Sequence, residues 1–162
     1  MPFSKMHGVN EMNCLITPRV EPAQWTSTTD SITSAHDTPR IRYEFLSDDF
    51  IYDVHQKITM CGKWHLSLEE PLDYLRSASK VYAAFIDNYE VFHEHQATRA
   101  IRLTCLFISI KYHSDEAYGM RIGKFTKFVN ERTNHNFVKK KMCDLERFIL
   151  NSLEYNLHPL MV

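Results

Sequence analysis

Between Ala97 and Tyr112 the sequence reads as a helix with almost no polar face. Ala97, Ala100, Ile101, Thr104, Cys105, Ile108 and Tyr112 form one stripe, and Leu103, Leu106, Phe107 and Ile110 fill much of the remaining circumference. A helix that is apolar nearly all the way round is stable in water only when other elements enclose it. Burying each of its large side chains contributes roughly 1.5–3 kcal/mol. The rest of the chain must therefore supply a shell of amphipathic elements. With only Gly 4 and Pro 6 in 162 residues, helices suit that role better than a turn-rich β fold.

Four further helices can be read around it. Ser47 is expected to cap the first, with Asp48 and Asp49 at its positive end. Phe50, Ile51, Val54 and Ile58 follow on one face, with His55, Gln56 and Lys57 on the wetter side, and Gly62 is expected to stop it. Ser67-Leu68-Glu69-Glu70-Pro71 is a second start signal, with a capping box and a first-turn proline. Leu72, Leu75, Ser79, Tyr82, Ala83 and Ile86 then line a helix running to about Tyr89, where Ala78, Ala83 and Ala84 permit close approach of a neighbour. After the central helix, which should begin near Gln96 or Ala97, a shorter one carries Ile122, Phe125, Phe128 and Val129. The last buries Phe137, Val138, Met142, Leu145, Phe148, Ile149 and Leu153. No strand and no internal repeat is expected.

Residues 1–41 are rich in Thr, Ser, Pro and Asn and show no sustained apolar period, so this segment is expected to be largely mobile. Thr17-Pro18-Arg19 and Thr38-Pro39-Arg40 have the form of proline-directed phosphorylation sites, but so short a pattern is better read as chance. Arg42-Tyr43-Glu44-Phe45-Leu46 is more apolar and should form the leading edge of a domain spanning 42–158, followed by a tail at 159–162. A net charge of −1 gives no global drive toward nucleic acid or an anionic membrane. No apolar run is long enough to span a bilayer. Cys14, Cys61, Cys105 and Cys143 lack disulfide or zinc spacing, which points to a reducing intracellular compartment, cytoplasm or nucleus. His93 and His95 have no cysteine pair to complete a metal site, so no metal and no cofactor are expected. No catalytic triad order, phosphate-binding glycine loop or carboxylate pair is present, so no motif points to catalysis. Lys139-Lys140-Lys141, with Arg121, Lys124, Lys127 and Arg132, make the C-terminal third basic. A solvated face is the simplest reading. An acidic-peptide or phosphate dock, or nucleic acid, is the sharper one, and nucleic acid is disfavoured because no groove-reading motif accompanies the charge.

The stretch from Arg102 to Tyr112 ends its apolar helix in a Lys-aromatic pair. After a polar connector, Met142 to Leu157 follows the pattern xLExxILxxLxxxL. This succession resembles the second half of a cyclin box, over about Ser47 to His158. The segment Leu103 to Tyr118 is similar to the single-box P/U-type, or phosphate-starvation type, cyclins, which often read LTxLxxAxKFxDDxYY here. Asp115 and Tyr118 match that pattern. Ser114 and Gly119-Met120 depart from it, and His113-Ser114 replace the two Glu of cell-cycle cyclins. Ile86-Asp87 matches the usual end of the second helix, with Asn88 in place of Arg.

The resemblance implies an all-α fold, a single five-helix cyclin-box bundle around a buried third helix. It implies a regulatory subunit that binds a cyclin-dependent protein kinase and stabilises its active conformation, monomeric when no kinase is bound. Cyclins anchor the kinase's regulatory helix with a Lys on the first helix and an acid just after the third. Lys57 or Lys63 fits the first role, and Asp115 or Glu116 the second. Lys111, Tyr112, Tyr118 and Arg147 complete the kinase-facing set that the resemblance implies. A cyclin-fold transcription factor and a non-kinase helical adaptor are the alternatives.

Overall fold

The computed structural model describes residues 16–18, 45–61, 72–91, 95–113 and 121–162. In chain order the elements are strand β1 (Ile16–Pro18), helices α1 (Asp49–Cys61) and α2 (Leu72–Asn88), strand β2 (Tyr89–Val91), and helices α3 (His95–His113), α4 (Ile122–Thr133), α5 (Lys139–Ser152) and α6 (His158–Met161). The five long helices are those expected, and the fold is all-α apart from one short ladder.

Phe45 enters the core ahead of α1 while Leu46 beside it is exposed, and Arg42, Tyr43 and Glu44 of the expected leading edge lie outside the described residues. The cap of α1 lies one residue later than expected. Asp48, not Ser47, precedes the first helical residue, and its Oδ1 accepts the N–H groups of Phe50 at 3.0 Å and Ile51 at 3.3 Å. His55 also departs from its expected wet position and is 3% exposed. It lies four residues after Ile51 and one after Val54, so the helical turn places it on the buried face. There its ring sits 6.4 Å from that of Tyr74 on α2.

Helix α2 is enclosed almost as fully as α3. Leu75, Ser79, Tyr82, Ala83 and Ile86 are buried as expected, but so are Tyr74, Val81 and Phe85 on other sides, whereas Leu72 is exposed. Ala78, Ala83 and Ala84 are buried within it, and small side chains let helix axes draw close. Ser109 of α3 donates to the carbonyl of Tyr74 at 2.8 Å, a buried bond that fixes one helix against the other. On α3, residues 103–110 are all buried. Thr104 is made compatible with that environment by donating to the Ala100 carbonyl at 2.7 Å. Tyr112, expected on the buried stripe, is 44% exposed because it occupies the last turn.

Strands β1 and β2 pair antiparallel, with Ile16 opposite Val91 and Pro18 opposite Tyr89. The sequence reading expected no strand. Three-residue strands are too short for an alternating pattern to register. Tyr89 ties the ladder to the core by stacking on Phe85 at 5.1 Å and meeting Phe148 edge-on at 5.1 Å.

Helix α4 ends at Asn134, whose φ of 56° is the left-handed conformation that Asn tolerates. Asn130 then grips the backbone of Phe137 from both sides. Its Oδ1 accepts the Phe137 N–H at 2.8 Å and its Nδ2 donates to the Phe137 carbonyl at 3.0 Å. This turns the chain so that Phe137 enters the core and α5 starts two residues later. Met142, Leu145 and Ile149 form the buried side of α5, with Phe148 and Leu153 partly covered. Val138 is 52% exposed instead of buried, since it precedes the helix and its extended backbone turns it away. The residues read as a tail fold back as α6. Met161 joins the core, and Lys80 donates to the Val162 carbonyl oxygen at 2.9 Å.

Candidate functional site

The last turn of α3 is tied to a different helix by each of three consecutive residues. Successive helical positions point about 100° apart, so Lys111, Tyr112 and His113 can reach three neighbours. Lys111 Nζ lies 3.4 Å from Glu146 Oε2 on α5 and 5.7 Å from the centre of the Phe107 ring. The Tyr112 hydroxyl lies 3.1 Å from His158 Nδ1 on α6. His113 Nε2 lies 3.3 Å from Ser77 Oγ on α2, and its ring meets Tyr74 edge-on at 5.8 Å. Burial lowers the His113 pKa, and the nearby carboxylate of Asp73 only partly opposes this. The exit of α3 is thus a rigid platform that still leaves Lys111 and Tyr112 accessible at its surface.

At the start of α1, Asp48 Oδ2 pairs with Arg102 of α3 at 2.7 Å, with both side chains largely buried. The Arg102 guanidinium also lies over the Tyr82 ring at 5.2 Å, and Tyr82 in turn packs on Phe45. Burial works against the charge of Arg102, but Tyr82 and Asp48 outweigh it and its pKa is raised. This node fixes the start of α1 to α2 and α3. The thiol of Cys105 is driven upward by complete burial and behaves as a small core hydrophobe.

The residues implied as kinase-facing are spread over separate elements. Lys57 lies on the open side of α1, paired with Asp53 at 2.7 Å. Such an i,i+4 surface pair contributes about 0.3–0.5 kcal/mol, so little opposes its exchange for another acid. Lys111 and Tyr112 sit at the exit of α3, and Arg147 is exposed on α5 without an ion pair among the described residues. Lys63, Asp115, Glu116 and Tyr118 lie outside the described residues, as do Gly62 and the Ser67–Pro71 start signal. No hydrogen bond or ion pair joins Lys57, Lys111, Tyr112 and Arg147 to one another. Sequence reasoning did not select Glu146, His113 or His158. Glu146 is the Glu of the xLExxIL pattern, a signal that marks the residue without naming its partner.

Among the described residues no group of His, Cys, Asp and Glu could hold a metal ion, and no helix is long and apolar enough to cross a membrane.

Two enclosed central helices, three more packed about them, and a Lys-aromatic pair at the exit of the third make up an all-α domain. The model of the cyclin N-terminal domain family matches residues 24–158, most of the chain, and the protein belongs to that family. No curated protein and no solved structure matches it.

Proposed function

We propose that this chain is the regulatory subunit of a cyclin-dependent protein kinase, of the single-box P/U type, without catalytic chemistry of its own. The observation that carries the proposal is the platform at the exit of α3. Lys111 and Tyr112 are held by α5 and α6 yet remain accessible, on a domain of the cyclin family. The subtype is supported by the run from Leu103 to Tyr118. Lys57 or Lys63 on one side, and Asp115 or Glu116 on the other, anchor the kinase's regulatory helix. Tyr118 and Arg147 extend the contact.

Activation is a population shift. The chain binds the active arrangement of the kinase better than the inactive one, and only that difference does work. A platform already rigid before binding loses little entropy on association. The protein acts in cytoplasm or nucleus and is a monomer until the kinase binds.

The test is binding and activation of a purified cyclin-dependent kinase by charge-reversed variants. Paired reversal of Asp115 and Glu116, and separately of Lys57 and Lys63, should weaken binding strongly, since truncating one member of an interfacial charge pair costs about 2–5 kcal/mol. Lys111→Ala should weaken binding well beyond what its loss of the Glu146 pair costs in melting temperature, a cost that Glu146→Gln should show alone. The proposal fails if all these variants stay folded and bind the kinase like the wild type.

A further inference from the structure

One strongly charged surface takes no part in that reading. Arg121, Lys124 and Lys127 are exposed on the first two turns of α4 and the residue before it. Lys139, the first residue of α5, runs across the same turns: a Cβ built at Gly123 would lie 2.7 Å from Lys139 Cε and 3.2 Å from its Nζ. Lys139 thus reaches the N-terminal end of α4, near the other three cations, and none of the four has an ion pair among the described residues. The contrast with their neighbours is informative. Lys140 finds Asp144 four residues on at 3.3 Å, and Arg132 lies over the Phe128 ring. Lys127 has Glu131 four residues on, but the two form no pair. Neither α4 nor α5 has an acid in its first turn or a side-chain cap, so the positive ends of both helices add to the field. Val138 is exposed immediately beside Lys139 and supplies an apolar spot.

We infer that this face docks a short acidic segment of a partner protein, bound through Asp and Glu carboxylates. The inference goes beyond kinase binding and does not depend on it. Size and charge select the occupant. Arg121 to Lys127 spans roughly 9 Å of helix. Same-face side chains of an extended peptide recur about every 6.8 Å, so two or three acids suffice. Nucleic-acid binding typically engages about 6–10 phosphates, more than four cations can neutralise, and the chain's net charge of −1 adds no global drive toward a long polyanion. A membrane surface would need a broader apolar rim than Val138 provides.

Fluorescence anisotropy of the full-length chain tests this. The probe is a labelled peptide of alternating Asp and Leu with Glu at its ends, beside the same peptide with Asn and Gln replacing the acids, and a short DNA duplex. The acidic peptide should bind and the neutral one should not, and added salt should weaken the complex. Lys124→Glu with Lys127→Glu should weaken it by roughly tenfold or more, as two attractions become repulsions. Lys124→Gln with Lys127→Gln should fall between, and circular-dichroism melts of both should match the wild type. The inference is overturned if the acidic peptide fails to bind, if the reversed variant binds it equally well, or if the duplex binds through these lysines in preference to the peptide. Because no kinase is present, these results are separate from the fate of the kinase proposal.

Discussion

Asp48 uses its two carboxylate oxygens for different ends: Oδ1 closes the first turn of α1, and Oδ2 holds the guanidinium of Arg102. Asp48→Asn keeps a good cap but leaves Arg102 without its counter-charge, while Asp48→Ala loses both. Urea unfolding should therefore find Asp48→Ala less stable than Asp48→Asn by about 1 kcal/mol, the worth of an N-cap. Asn should itself be clearly below wild type, because a largely buried charge is left uncompensated. Equal stability of the two variants would remove the cap from the account. His113 gives a pH signature. Its folded pKa lies below its unfolded value, so the unfolded chain binds the extra proton first as pH falls. The stabilisation is present above the unfolded pKa near 6.5 and is lost as pH falls from there toward the folded pKa. His113→Gln should remove part of the stability loss seen between neutral and mildly acidic pH, and a variant with an unchanged pH profile would count against this. Neither Asp48–Arg102 nor Lys111–Glu146 was legible in the sequence. Helical periodicity ranks the faces of one helix but does not say which residue of another helix will face it.

At the scale of elements, the stripes Ile51–Val54–Ile58, Leu75–Ser79–Tyr82–Ile86 and Ile122–Phe125–Val129 were legible because each repeats over at least two turns. The errors fall at ends. Val138 and Tyr112 sit where a periodic pattern continues past the neighbours that would bury it, and Leu72 sits in a first turn with the same exposure. His55 was missed for a different reason: a polar residue type was allowed to outweigh its position on the buried arc. Gly123 provides an element-scale prediction. It occupies the first turns of α4, and only the flexible end of Lys139 fills the space a Cβ would take. Gly123→Ala should stabilise the protein by about 0.5–1 kcal/mol through helix propensity, with Lys139 swinging aside. A thermal melt lower than wild type would show that Lys139 cannot move.

For the whole molecule, the all-α class and its five-helix order were legible in the separate apolar stripes and in the cyclin-box resemblance, and membership of the cyclin family agrees with that order. Two features of the assembly carry no periodic signal. The β1–β2 ladder joins residues far apart in the chain, and α6 is held by Met161 and by Lys80 across the fold. Of the site residues that the resemblance implies, Lys63, Asp115, Glu116 and Tyr118 lie outside the described residues, and Lys57, Lys111, Tyr112 and Arg147 fall on described helices. Their local partners, Asp53, Glu146 and His158, emerged with the fold. The most direct test of the central claim is affinity purification of the tagged full-length chain from its native cells at moderate salt, with mass spectrometry of what stays bound. The account predicts a cyclin-dependent kinase in near-stoichiometric amount. A stoichiometric complex with no kinase subunit would contradict it.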